Sequence, residues 1–121
     1  MTPNQLDALL PSRIRSLPRI VAVIKLETAE AFGLGVPALT RRDRHADVVW
    51  PRQVAYWLSR ELANASARTI GNMFGRDRRT VSHGIRHVHD IMAAYPKVRT
   101  ELAELLERIG KKTTQNERKE L

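Results

Sequence analysis

Apolar positions recur at helical spacing through most of the chain, and no segment alternates cleanly enough to read as a strand. Ile20, Val23, Ile24, Thr28 and Phe32 fall on one side at intervals of three and four. They predict a helix from Arg19 to Phe32 that Gly33 and Gly35 end. Pro37, in first-turn position, permits a short helical turn through Leu39. Thr40 to Val49 has no apolar period and reads as a loop. A long helix is expected from near Pro51 to about Ala63. Val54, Ala55, Leu58 and Leu62 form its buried stripe, Arg52, Ser59 and Arg60 lie outside, and Trp57 sits at the edge. Ser66 is a good N-cap for a short helix carrying Ile70, Met73 and Phe74, which Gly75 ends. Asp77 caps the next long helix, whose core face is Val81, Ile85, Val88 and Met92 and which Pro96 stops. A last amphipathic helix buries Val98, Leu102, Leu105, Leu106 and Ile109, with Glu101, Glu104 and Glu107 outside.

The fold class is therefore all-α, with about five to six helices. Residues 1–17, with Pro3 and Pro11, read as a partly ordered arm, residues 18–110 as the helical domain, and residues 111–121 as a polar tail that frays. At 121 residues this is one domain's worth of chain, 42% hydrophobic and 28% charged. It has no cysteine, which excludes disulfides, thiolate metal sites and cysteine nucleophiles. No apolar run approaches the length of a membrane span, and a cytoplasmic protein is expected.

Charge changes the picture more. Twenty-one Lys and Arg against 13 acidic residues give a formal charge of +8. Residues 41–98 hold 11 basic and five acidic side chains, and ten of the 11 are Arg. A polyanion would dock there, and the planar guanidinium fork suits phosphates and guanine edges.

Residues 66–88 carry the informative constellation: a short helix ending at glycine, a tight turn, and a longer helix. This is the outline of a helix-turn-helix. With Val81, Ile85 and Val88 inward, the leading end and opposite side of the second helix present Arg78, Arg79, Ser82, His83 and Arg86. These side chains hydrogen-bond base edges and phosphates, and the amides at the helix start can hold a phosphate oxygen.

The runs Trp50-Pro51-Arg52-Gln53-Val54-Ala55, Leu58-Ser59-Arg60-Glu61-Leu62, Ile70-Gly71 and Phe74-Gly75-Arg76-Asp77-Arg78-Arg79-Thr80-Val81-Ser82-His83 stand in order. Together they resemble the C-terminal DNA-binding domain of the bacterial replication initiator DnaA, over about residues 24–109. The resemblance implies a Trp-repressor-like and DnaA-like helix-turn-helix that reads short A/T-rich boxes in double-stranded DNA, the helix in the major groove and a basic loop in the minor groove. By position it makes Asp77, Arg78, Arg79 and Thr80 the base-reading end. Arg52, Arg76, His83 and Arg86 become phosphate or groove contacts, and the segment with Arg41, Arg42 and Arg44 becomes the basic loop. The chain departs from the family's usual pattern in three places. Gly75 alone precedes Arg76 where the family has two glycines, Arg78 and Arg79 replace His and Thr, and Ala46 replaces a basic residue. The two arginines add phosphate attraction or guanine reading, and the changes bear on the box preference.

No Gly-rich stretch ends in Gly-Lys-Ser/Thr, so neither a nucleotide nor any other cofactor is expected. The chain looks like the DNA-reading module standing alone. It would regulate replication or transcription, with the initiator or its box sites as further candidate partners. His83, His87 and Asp90 share one helix side, but no further ligand cluster supports a metal, and no nucleophile–base pair supports an enzyme. The alternative is a basic adaptor whose last helix offers its apolar face to a protein partner, with DNA contact incidental.

Overall fold

The computed structural model describes residues 17–41 and 46–120, and of residues 46 and 114–120 the backbone alone. Its order is α1 (Leu17–Ala31), a 3-10 turn (Val36–Leu39), α2 (Ala46–Ala63), α3 (Ala67–Phe74), α4 (Arg78–Ala94) and α5 (Pro96–Glu120). No strand occurs among the described residues. Helix α2 is the hub, packing against α1 on one side and α4 on another. Helix α3 lies against α4, and α5 returns across α4 to α1.

The apolar stripes meet in one core. Ile20, Val21 and Ile24 of α1 join Val54, Ala55 and Leu58 of α2, Ile70 and Phe74 of α3, Val81, Ile85 and Val88 of α4, and Leu102 and Ile109 of α5. Val23, Met73, Met92, Val98, Leu105 and Leu106 pack half-buried around it. The apolar face of the last helix is thus occupied within the molecule. Helix α1 ends where glycine permits: Gly33 takes φ +68, and Leu34 N–H donates to Ala29 O at 2.8 Å.

Several expectations need correction. Helix α2 starts at Ala46, not at Pro51, so residues 46–49 are helix rather than loop. Pro51 lies one turn in, where its missing N–H forfeits one hydrogen bond near the helix end. Arg52 and Ser59 are buried, not outside, and Trp57 is buried rather than at the edge. Ser59 turns its hydroxyl back to Ala55 O at 2.8 Å, which satisfies it inside the core. Helix α5 does not stop at Gly110. A Cβ there would stand 3.3 Å from Leu62 Cδ2, so this glycine serves close packing against α2. Beyond it Thr113 is buried and Lys112 pairs with the buried Glu27 of α1. The expected arm at residues 1–17 falls, but for Leu17, outside the described residues.

Candidate nucleic-acid interface

Local chemistry sets the helix-turn-helix. Ser66 takes an extended conformation before α3 and its hydroxyl accepts from Thr69 N–H at 3.1 Å. Gly75 ends α3 in the left-handed region at φ +69, and its N–H donates to Gly71 O. The chain then folds back over α3, with Arg76 N–H donating to Gly71 O at 2.9 Å. Gly71 is buried at this crossing, with Arg76 and Asp77 backbone where a side chain would sit. Asp77 caps α4, its Oδ1 accepting from Thr80 N–H at 2.7 Å. The Thr80 amide and hydroxyl, helped by the Arg79 charge, hold the Asp77 carboxyl below the usual carboxylate range.

The second helix packs on the body along one side and leaves its leading end and opposite side open. Val81, Gly84, Ile85 and Val88 face inward, while Arg78, Arg79, Thr80, Ser82, His83 and Arg86 are exposed, as is Asp77. Gly84 lets α4 approach α2: a Cβ there would meet Gln53 Cγ and Tyr56 Cδ2 at 3.0 Å. Tyr56 stacks edge-on against Phe74 at 5.1 Å between ring centres. Burial pushes its phenol up, against the pull of the Arg52 and Arg76 charges. A cleft opens between the starts of α2 and α4, bordered by Gln53, Arg76, Arg79, Thr80 and His83.

The expected site residues divide into three groups. Asp77, Arg78, Arg79, Thr80, Ser82, His83 and Arg86 come together on the exposed end of α4. Arg52 and Arg76 are used differently. Arg52 is only 6% exposed, and its guanidinium donates to Leu39 O at 3.2 Å and to Ala38 O at 3.1 Å. It ties the end of the 3-10 turn to α2, which corrects its expected place on the outer face. Arg76 is half-buried and donates to Gly75 O and to the carbonyl of the exposed Arg41. The turn is thereby joined to the start of the arginine-rich segment. Arg42 and Arg44 lie outside the described residues, as does the side chain of Ala46.

Three residues escaped the sequence reading. Gln53 and Tyr56 of α2 border the cleft; the sole signal for Gln53 was its place beside Arg52 in the Trp-Pro-Arg-Gln run. Lys25 of α1 donates to Met73 O at 2.6 Å and lies over the Phe74 ring, 4.8 Å from its centre. A cation at the C-terminus of α3 meets the negative end of that helix. Partial burial lowers the Lys25 pKa. His83, His87 and Asp90 do not form a metal-binding group among the described residues, and His87 lies edge-on to Trp50 at 5.9 Å. No helix among the described residues is long and apolar enough to cross a membrane.

Comparison with known proteins agrees with this geometry. Residues 21–88 match the family described as bacterial dnaA protein helix-turn-helix. The chain is 34% identical over 96 residues to the chromosomal replication initiator protein DnaA of Caulobacter vibrioides, an alignment covering 77% of this chain and 20% of that protein. It is 34% identical over 84 residues to the DnaA of Herpetosiphon aurantiacus, covering 69% and 18%. Against the DnaA of Caulobacter sp. strain K31 it is 30% identical over 105 residues, covering 84% and 22%. The chain spans about a fifth of the length of the curated relatives it matches. With the family's match running from α1 through Val88 of α4, and the all-helical fold built around that turn, the chain belongs to the bacterial DnaA helix-turn-helix family.

Proposed function

We propose that the protein binds double-stranded DNA with sequence preference, laying the leading end of α4 in the major groove, and so regulates replication initiation or transcription. The observation that carries this reading is the exposed ridge Arg79–His83–Arg86 beside Arg78 and Ser82, at the capped start of a helix and on its side opposite the core. The helix brings three arginines and no acidic side chain between Arg78 and His89. The cleft beside it would take the sugar–phosphate strand bordering the groove, with the Gln53 amide and the Thr80 hydroxyl as donors and Arg76 as the charge. The name of the relatives, chromosomal replication initiator, supports replication control. Initiator boxes, or the initiator itself, are the corresponding partners.

The experiment is selection of binding sites from random duplexes at near-physiological salt. A recurring motif is expected, with log K falling against log salt at about −0.9 for each phosphate neutralised. With Arg41, Arg76 and Arg78 as phosphate ligands, the slope would be about −2.7. Recovery of random sequence only would overturn sequence preference and leave the basic-adaptor reading. That alternative has lost its main support, because Leu102 and Ile109 on the last helix are buried in the core.

A further inference from the structure

The geometry points to a division of labour along α4: Arg79 reads a guanine in the major groove, whereas Arg78 grips the groove's phosphate wall, so that the target contains an obligatory G·C pair facing Arg79. This rests on the DNA-binding reading above.

The assignment follows from helix geometry. The inward direction of α4 is fixed by Val81, Gly84, Ile85 and Val88. At about 100° per residue, Arg79 stands within about 10° of the opposite, outermost line, and His83 and Arg86 within about 30°. Arg78 is about 110° from that line and Ser82 about 70°, both on the flank away from the cleft. Side chains lean toward the helix N-terminus, so Arg79 reaches ahead of the leading end.

The groove then sorts the two arginines. The major groove is about 12 Å wide, and a helix with its side chains is about 10–12 Å across, so the helix fills the groove. Its outermost line meets the base edges on the floor, and its flanks meet the walls, which are phosphate. A guanidinium on the floor finds its best partner in guanine, whose O6 and N7 both accept from the planar fork. No other base pair offers two acceptors at that spacing. Arg79 is exposed, and its one charged neighbour among the described residues, the Asp77 carboxylate, acts on it through space without a close ion pair. Asp77 lies at the same end but aims Oδ1 at the Thr80 amide. Its cap fixes the backbone from which Arg79 projects.

The test compares selected motifs and salt slopes for the wild type, Arg79→Ala, Arg79→Gln and Arg78→Ala. Both positions are exposed, and matched unfolding midpoints check that the variants fold. The wild type should select one invariant guanine. Replacing that G·C pair should weaken binding by about 5- to 150-fold for the wild type and leave Arg79→Ala indifferent. Arg79→Gln should exchange guanine for adenine at that position, because the Gln amide matches adenine N6 and N7. A fold defect cannot produce such an exchange. Arg78→Ala should keep the motif and reduce the salt slope by about 0.9. A wild-type motif without guanine, or one whose guanine survives both Arg79 variants, overturns this assignment while sequence-preferring DNA binding stands. Loss of a base position in Arg78→Ala with an unchanged slope also overturns it. Absence of any wild-type motif overturns both.

Discussion

Gly71→Ala is the most stringent test of the turn, because the obstacle it meets is main chain. The added carbon would overlap the Arg76 carbonyl oxygen and stand 3.4 Å from the carbonyl carbons of Arg76 and Asp77. Those atoms cannot move aside singly. Gly75 is locked at φ +69 before them, the Arg76 N–H is bonded to Gly71 O, and Asp77 caps the next helix after them. Alanine gains about 1 kcal/mol over glycine in a helix interior. Overpacking against a fixed surface costs about 3 kcal/mol, the upper end of the usual range, because no rotamer can relieve it. The expected net loss is about 2 kcal/mol, which for a domain of this size lowers the midpoint by about 8–16 °C. Thermal unfolding followed by helical ellipticity measures it. DNA binding, measured well below the variant's midpoint, should also weaken, because any relief tilts the start of α4. A variant as stable as the wild type that binds DNA equally well would refute the claim that the turn closes on Gly71. Gly75→Ala is the control: its Cβ would meet nothing within 4 Å, so only the left-handed φ resists it, at about 1–2 kcal/mol.

Other outcomes follow from the same contacts. Arg52→Ala should lower stability by about 2–4 kcal/mol, since two charged hydrogen bonds vanish and two carbonyls lose their donors, whereas an exposed phosphate ligand would leave unfolding within about 0.5 kcal/mol. Denaturant titration without DNA decides between these. Asp77 has a lowered carboxyl pKa in the fold, so its stabilisation is complete above the unfolded-chain value and disappears as pH falls through the folded one. Between about pH 5 and pH 2 the wild type should therefore lose stability faster than Asp77→Asn, which keeps a cap acceptor; parallel midpoint–pH curves would contradict this. Ile109→Ala should cost about 2–5 kcal/mol, as for any fully buried core side chain, and a chain ending at Tyr95 should fail to unfold cooperatively by calorimetry. A folded, monomeric shortened chain would instead return the last helix to the service of a partner.

What the sequence made legible was whatever depends on near neighbours. Ser66 and Asp77 could be read as caps because a capping side chain needs only an amide three residues on. Val81, Ile85 and Val88 could be read as core because a helix repeats within two turns. Arg52 could not be placed, because its partners are carbonyls at the end of a turn 13 and 14 residues earlier, and only the tertiary fold brings them over α2. Pro51 suggested a helix start because proline favours first turns, yet Ala46 to Trp50 are already helical. Gly110 suggested a stop because glycine ends helices more often than it packs inside them, and its close neighbour Leu62 is 48 positions away in the sequence. Of the candidate interface, the α4 side was visible from spacing alone. The α2 side, Gln53 and Tyr56, required knowing which helix lies across from which.

The guanidinium of Arg76 laid on the carbonyl of Arg41 has a mechanical consequence. It splices the turn ahead of α4 to the chain leaving the 3-10 helix, while Arg52 bolts that same helix to α2 from beneath. Under the binding mode proposed above, two grips tied in this way resist a change in their separation, so a misfit with a duplex would be absorbed by bending or twisting the duplex. Sites of equal base content but unequal pliancy would then differ in occupancy, and flexible pyrimidine–purine steps between the two grips would be favoured without being touched.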